Sequence, residues 1–331
     1  MTAVIAARES GRRSLGRPVG AVALVVGKGV FTLALVSALI FLVTQAMPGD
    51  VARVILGTEA SADQVARLRT QMGLDRPVWE QYLSWIGGVL RGDFGVSLAS
   101  ATQQPVAEIL GARLANSLIV AGTALLVMLP VALLLGVLAA RYRDSVYDRI
   151  FLGASMFANA TPEFIIGMVL VAFFSTTVLH LLPAVSIVPP GTTPLDNPIV
   201  LILPVATICV TGVAYLGRLV RISFIDVLGS EYIQTARLKG LPGSTVLFRH
   251  ALPNALAPII PAVTLVAAAI IGGVVVVEFL FGYTGVGTML IDAVRTRDVP
   301  AIQAVVLVIA TAYYVLNTIS DTLSRGRRAR R

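Results

Sequence analysis

The chain has 331 residues, of which 56% are apolar and only 13% are charged. A soluble globular domain carries about 25% charged residues, so this composition excludes an ordinary cytosolic enzyme, a disordered chain and a collagen-like chain. A membrane protein with several spans is the class that remains. Its net charge of +8 fits either nucleic-acid binding or the rule that orients membrane proteins.

The N-terminal region superficially resembles a secretory signal, because basic residues precede the apolar run 29–47. That run is longer than the about 7–15 apolar residues of a signal peptide, and no cleavage site of small residues follows it. We therefore expect a basic tail over 1–28 and an uncleaved first span over 29–47. The single cysteine, Cys209, excludes an intrachain disulfide and fits a small buried apolar side chain.

A helix needs about 20 mostly apolar residues to cross a membrane. Six stretches of the sequence satisfy this requirement: 29–47, 114–140, 150–179, 199–217, 255–280 and 301–320. Prolines and glycines interrupt several of them, which indicates kinked helices that pack against each other.

The distribution of Lys and Arg predicts the orientation of these spans. Eighteen of the 26 basic residues lie in the two tails and in the segments 141–149 and 218–249. Cytoplasmic loops carry such an excess, so both termini are expected in the cytoplasm. The basicity thus reports orientation, and nucleic acid is not an expected partner.

The segment 48–113 is then extracytoplasmic, polar and mixed in charge. Within it, 63–72 is typical of a short amphipathic helix with Val65, Leu68 and Met72 on one face. Trp79, Tyr82 and Trp85 follow at spacings of three residues. These aromatic side chains indicate either a helix that docks on the membrane interface or a partner, or the filling of a small extracytoplasmic core.

The cytoplasmic segment 231–254 reads as a short amphipathic helix that ends at Gly240, a turn, and a second short helix. Glycine at a helix end adopts the left-handed conformation without strain. Apolar residues of the first helix should be exposed and available to a partner surface: Tyr232, Ile233, Ala236 and Leu238. The alternative is a helix that lies on lipid.

This segment resembles the cytoplasmic signature loop in permease subunits of ABC importers. That loop reads Glu-Ala-Ala, three residues, Gly, nine residues, then Ile-x-Leu-Pro. The chain matches it at Gly240 and, nine residues later, at His250-Ala-Leu-Pro253. It departs at the leading triplet, Gln234-Thr-Ala236, and at His250, where the pattern has Ile. These departures are similar to those of the first permease subunit of the dipeptide, oligopeptide and nickel importers.

Further stretches between about 28 and 324 resemble the same subfamily. They are Met47-Pro-Gly-Asp50, Gly73-Leu-Asp-Arg-Pro77 with Gln81-Tyr82, Gly92-Asp-Phe-Gly95 with Ser97, Pro162 to Gly167, Leu182-Pro183, Val277-Glu278, and Arg297-Asp298 with Gln303. Two positions depart from it. Thr284 stands where Pro is expected before Gly285, and the tail 324–331 is basic where the family often ends in Asp-Pro-Arg.

The resemblance implies an all-α membrane protein with the type I permease fold of ABC importers, built from six transmembrane helices. A small extracytoplasmic segment follows the first helix. The other five helices form a core over 114–323 that includes a cytoplasmic coupling loop over 229–254. Residues implied to couple this loop to an ATPase subunit are Glu231, Tyr232, Ala236, Lys239, Gly240, His250 and Pro253.

The resemblance also implies the partners and the place of the chain. It should form half of a translocation pathway for peptides or similar small solutes in the bacterial inner membrane. The implied partners are a second homologous permease, two ATP-binding subunits, an extracytoplasmic solute-binding protein and membrane lipid. The partner subunits bind ATP and Mg²⁺ and hydrolyse the nucleotide. This chain is therefore not expected to be an enzyme or to hold a cofactor.

Chemical motifs agree with a subunit that has no catalytic site of its own. A phosphate-binding loop needs G-x-x-x-x-G-K-[ST], and Gly27-Lys28-Gly29 fails this pattern at both ends. The two histidines, His180 and His250, fall on opposite sides of the membrane, and no Cys/His cluster indicates a metal site.

Two acidic residues fall within predicted spans, where charge is costly and often functional. Glu163 follows Pro162 near the middle of the third span, and Glu278 lies near the outer end of the fifth, where it can reach the interface. Each is a candidate for a pathway or gate residue. The alternative for each is helix capping or pairing between helices.

Two other classes of function compete with the importer hypothesis. An ion-coupled secondary transporter should show inverted repeats and broken helices at matching positions, and this sequence shows no repeat. A membrane-anchored assembly protein needs no transport pathway. The match to the signature loop argues against it.

Overall fold

A computed structural model describes residues 16–47, 51–56, 60–71, 73–100 and 102–328. Several residues used in the sequence analysis lie outside these ranges. They are 1–15 and 329–331 of the two tails, Pro48–Asp50 and Met72. Within the described part of the chain the architecture is helical, and its one β-bridge pairs Val96 with Pro105. The all-α expectation is thus confirmed for this part.

Short connections join most of the helices, and the longest stretch without a helix in the described ranges is 177–197. In order they are α1 Gly16–Gln45, α2 Val51–Leu56, α3 Ala62–Gln71, α4 Val78–Val89, α5 Val106–Arg141, α6 Val146–Ala160, α7 Glu163–Val171, α8 Ile202–Leu228, α9 Glu231–Leu238, α10 Gly243–Thr245, α11 Leu252–Phe281, α12 Val286–Thr296 and α13 Val299–Arg328. A π-helical turn, Ala172–Thr176, extends α7, and another, Val246–Ala251, joins α10 to α11.

Five helices of the described part are long and apolar enough to cross a membrane, and they lie in α1, α5, α8, α11 and α13. A sixth span exists if α6 and α7 are taken as one broken span. This agrees with six predicted spans. The helix that contains the second predicted span starts before residue 114, because α5 begins at Val106, within the segment predicted to be extracytoplasmic.

The third predicted span, 150–179, is not one continuous helix. α6 ends at Ala160, α7 begins at Glu163, and the two helices are bent by 106°. Proline has no N–H to donate and disfavours helical geometry in the residue before it. Accordingly Thr161 is extended, and Pro162 precedes the first turn of α7.

The centre of the bundle is formed by α5, α8 and α11. Their buried apolar side chains form one cluster that includes Met128, Ile208 and Val277. Two small residues let α5 and α8 approach closely, because the backbone of Gly217 lies against Gly136. Close approach at small residues is a principal way in which membrane helices associate.

The segment between α1 and α5 packs on the end of the bundle where α12 lies. Tyr82 and Trp85 of α4 contact Phe41 of α1, and the Tyr82 hydroxyl is 2.9 Å from Ser37 Oγ. Trp79, by contrast, is 63% exposed. The three aromatic residues therefore differ: Tyr82 and Trp85 are half-buried against Phe41, and Trp79 is exposed.

Candidate functional site

The loop 229–254 projects from the end of the bundle opposite to α12. α9 ends at Leu238, and Gly240 follows with φ of +76°, a left-handed conformation that favours glycine. The predicted stop at Gly240 is confirmed. The second short helix is also present, as α10 and the π turn, and it leads directly into α11.

One face of α9 is buried within the chain. Ile233 and Ala236 pack in a cluster with Phe224 of α8, with Val246 and Ala251 of the π turn, and with the start of α11. The expectation that Ile233 and Ala236 are exposed is therefore wrong. These two side chains anchor the helix, because α8 and the π turn supply the apolar surface that the sequence reading assigned to a partner.

The rest of the surface of α9 is open. Leu238 is 89% exposed and Tyr232 is 44% exposed, which are high values for apolar side chains. Of the other residues implied to meet an ATPase subunit, Glu231, Lys239, Gly240 and Pro253 are exposed, and His250 is half-buried. The structure therefore brings all of the predicted coupling residues except Ala236 to the surface of one loop.

A basic groove lies beside this loop. The C-terminal end of α5, α8 and the loop enclose a cavity of about 420 Å³. Arg141, Arg143 and Arg237 line it, while Phe224 and Val246 contribute apolar walls. This juxtaposition was not visible in the sequence, where Arg237 lies almost a hundred residues after Arg141.

A pair of oppositely charged residues secures the same end of the bundle. Asp148 of α6 is buried and accepts two hydrogen bonds from the Arg221 guanidinium of α8, at 2.5 Å from Nε and 2.6 Å from Nη2. The fork of an Arg side chain matches a carboxylate in this two-bond geometry. Sequence analysis missed this pair, since nothing in the chain indicates that these helices meet.

Glu163 lines a cavity among the membrane-spanning helices. Pro162 ends the preceding turn, so Glu163 opens α7 and its carboxylate faces α8. Thr211 of α8 donates a hydrogen bond from Oγ1 to Glu163 Oε1 at 3.1 Å. The cavity, of about 310 Å³, is also lined by Asn159 and Tyr215. This geometry favours the pathway hypothesis for Glu163.

Glu278, in contrast, is completely buried. Its Oε1 accepts a hydrogen bond from Ser117 Oγ of α5 at 2.5 Å, and its Oε2 accepts one from the backbone N–H of Gly287 in α12 at 2.6 Å. The expectation that Glu278 reaches the interface is wrong, because α5 and α12 close over it. Its geometry favours the alternative of pairing between helices.

The comparisons with known proteins agree with this arrangement. Residues 132–326 match a family described as binding-protein-dependent transport system inner membrane component, and residues 22–135 match its N-terminal counterpart. The chain belongs to this family. It is the transmembrane permease subunit of an ABC importer and an inner-membrane protein with several spans.

Curated relatives of the permease are glutathione transport system permease proteins. Those of Escherichia coli strain K12 and Salmonella choleraesuis strain SC-B67 are each 35% identical over 292 residues, which is 88% of this chain and 92% of theirs. A solved structure, an amino acid ABC transporter with histidines, is 15% identical, with a TM-score of 0.48 over 67% of this chain and 94% of that one.

Membership of this family decides between the classes of function. A permease of a binding-protein-dependent system works with a partner permease, an ATPase and a solute-binding protein, and it is the non-catalytic component. The ion-coupled secondary transporter is not supported. The fold expected of an importer permease is confirmed for the described part of the chain.

Proposed function

We propose that the permease imports peptides or similar small solutes, and that its loop 229–254 receives the mechanical signal from an ATPase subunit. The observation that carries this proposal is that Leu238 and Tyr232 of α9 are exposed while Ile233 and Ala236 hold the helix to the bundle. Exposed apolar side chains on a helix that is fixed to the bundle are suited to docking in a groove of another protein.

The mechanism follows from this attachment. Because α9 is packed against α8 and the π turn leads into α11, a push on the loop is transmitted to two spans at once. ATP binding closes a pair of ATPase subunits, the loops move with them, and the helices switch access by rigid-body motion. Two ATPase subunits bind and hydrolyse Mg²⁺-ATP in this proposal, one on each permease.

The basic groove supports the choice of partner surface. Arg141, Arg143 and Arg237 surround the base of the loop, and the exposed carboxylate of Glu231 lies on its first turn. We expect acidic side chains of the ATPase to meet the arginines. In this orientation both termini are cytoplasmic, and the segment between α1 and α5 faces the solute-binding protein on the other side.

The class of solute is proposed from the relatives. The names of the curated relatives specify glutathione transport, and glutathione is a small peptide. We therefore propose glutathione and short peptides as the first solutes to test. The solute-binding protein would set most of the selectivity, with the permease pair providing the path.

To test this proposal, the variants Leu238→Glu and Tyr232→Ala are each assembled with the partner permease, ATPase and binding protein. The complexes are reconstituted in proteoliposomes. Stimulation of ATPase activity by loaded binding protein should fall about tenfold, because a loss of about 1.4 kcal/mol in docking has that effect. The matched control is Val146→Glu, an exposed apolar residue at the same end but outside the loop, which should leave the stimulation unchanged.

Uptake of radiolabelled glutathione, with short peptides as competitors, is measured in the same vesicles. If Leu238→Glu and Tyr232→Ala complexes assemble and retain full stimulation, the coupling role of this loop is wrong. If stimulation depends on the loop but neither glutathione nor peptides are taken up, only the proposed class of solute is wrong.

A further inference from the structure

The cavity that Glu163 lines is partly open and combines an apolar wall with a carboxylate. Five helices contribute to its lining, and most of its wall is apolar, including Met128, Ile208 and Val266. Its polar lining consists of the residues Asn159, Glu163, Thr211 and Tyr215. One carboxylate and three neutral polar side chains therefore face a largely apolar space of about 310 Å³, which is large enough for a small organic group.

The carboxylate is held in a fixed position. Thr211 donates to one oxygen at 3.1 Å, and the backbone of Gly273 in α11 lies so close to the other that a side chain at that position would collide with it. Its place in the first turn of α7 also stabilises negative charge, because the N-terminus of a helix carries partial positive charge.

No cation of the described part of the chain neutralises this group. Within the described ranges, Glu163 makes no ion pair with Lys, Arg or His at 4.0 Å or less. It is half-buried and lies away from both ends of the helices around it. Thr211 is about 13 Å along α8 from its start, and Gly273 is about 12 Å before the end of α11, at 1.5 Å per residue. An unpaired carboxylate at such depth is costly and indicates function.

The remaining polar groups of the cavity offer acceptors. Asn159 donates its side-chain N–H to the carbonyl of Ser155 at 2.9 Å, which leaves its Oδ1 free to accept. The Tyr215 hydroxyl can accept as well. A protonated primary amine has three donors and matches such a set, whereas Ca²⁺ requires six to eight oxygen ligands and an anion would be repelled by Glu163.

We propose that this cavity binds the protonated amino group of the solute during its passage, with Glu163 as the counter-ion and the apolar wall against the adjacent carbon atoms. The inference rests on the proposed function, since it takes the cavity as part of the solute pathway. It goes beyond that function by assigning the permease its own preference, for solutes that carry a primary ammonium group.

The test uses thiol chemistry and needs no knowledge of the natural solute. Cys209 is the single cysteine of this chain and is buried, so Cys209→Ala gives a permease chain free of thiols, and labelling is read on that chain alone. Asn159→Cys then places one thiol in the cavity. Its rate of reaction with a cationic methanethiosulfonate (MTSET) is compared with that of an anionic one (MTSES), each relative to a free thiol in solution, in the reconstituted complex.

We expect the cationic reagent to be favoured about tenfold by the nearby carboxylate. Glu163→Gln should abolish this preference, while the charge-conserving Glu163→Asp should keep it. Millimolar n-butylammonium should slow the cationic reagent, and n-butanol at the same concentration should not. This competition requires no change at Glu163, so it remains decisive even if Glu163→Gln fails to assemble.

Equal relative rates of the two reagents, or protection by n-butanol as strong as that by n-butylammonium, would overturn the proposal. The Leu238→Glu variant separates it from the coupling hypothesis, since a defect in the loop removes ATPase stimulation and leaves the preference for the cation intact. Failure of one proposal is thereby distinguished from failure of the other.

Discussion

Several buried or half-buried polar side chains of the permease pair with residues of other helices, and these pairs link the helices. Asp148 joins α6 to α8 through Arg221, Glu278 joins α11 to α5 and α12, and Thr211 joins α8 to Glu163 of α7. A buried polar group without a partner loses its hydration and gains nothing in return. These bonds therefore specify which helix faces meet.

At this scale we predict that Asp148→Asn lowers the free energy of unfolding by about 1.5–3 kcal/mol, because the half-buried Arg221 guanidinium loses its counter-charge and a charge-assisted hydrogen bond. The matched control is Asp144→Asn, which removes an exposed ion pair with Arg143 at 3.5 Å. That change should cost less than about 1 kcal/mol. Thermal unfolding of the purified permease in detergent measures both, and equal effects would contradict the prediction.

Among whole elements, the fit of α5 against α8 depends on the absence of side chains. A Cβ atom at Gly136 would collide with the Gly217 carbonyl and with Val220, whereas a Cβ atom at Gly122 on the same helix would meet nothing within 4 Å. Gly136 is therefore tightly packed and Gly122 has free space, although both lie on the same helix.

We predict that Gly136→Ala forces α5 and α8 apart and destabilises the permease by about 1–3 kcal/mol, the usual range for an overpacked core. Gly122→Ala should be neutral or slightly stabilising, since alanine favours a helix by up to about 1 kcal/mol over glycine. Differential scanning fluorimetry of the two variants checks this. An equal loss of stability in both variants would contradict the prediction.

At the scale of the molecule, the two ends of the bundle are built for different contacts. One end carries the projecting loop and the basic groove. The other carries the segment between α1 and α5, which is fastened to the start of α13: the Ser97 hydroxyl and the backbone N–H of Ala99 both donate to the buried Asp298 carboxylate. Asp298 thereby holds the exposed loop before α5 against the spans.

We predict that Asp298→Ala releases this loop, so that backbone hydrogen exchange over 92–100 accelerates about tenfold, which corresponds to a loss of 1.4 kcal/mol in local stability. Asp292→Ala, an exposed acidic residue of α12, is the control and should leave exchange unchanged. Hydrogen–deuterium exchange of the assembled complex, followed by mass spectrometry of its peptides, provides the measurement. Unaltered exchange over 92–100 in Asp298→Ala would show that other contacts hold the loop.

The membrane spans and the cytoplasmic loop were predictable from the sequence. Runs of apolar residues identify the spans because a bilayer demands a fixed length of apolar helix. The spacing from Gly240 to Pro253 indicated the projecting loop, and Gly240 ends α9 because glycine adopts the left-handed conformation without strain. The class of permease came from the resemblance of the loop and of other stretches to a known family of importers.

Only the tertiary structure decided which faces are buried. Ala236 turns inward, Glu278 is enclosed, and Glu163 shares a cavity with Thr211, because helices distant in sequence pack against each other there. The 106° bend between α6 and α7 likewise required the packed neighbours, since Pro162 interrupts a helix without fixing its new direction. Hydropathy and turn chemistry act between near neighbours, while burial depends on contacts that the order of residues along the chain does not display.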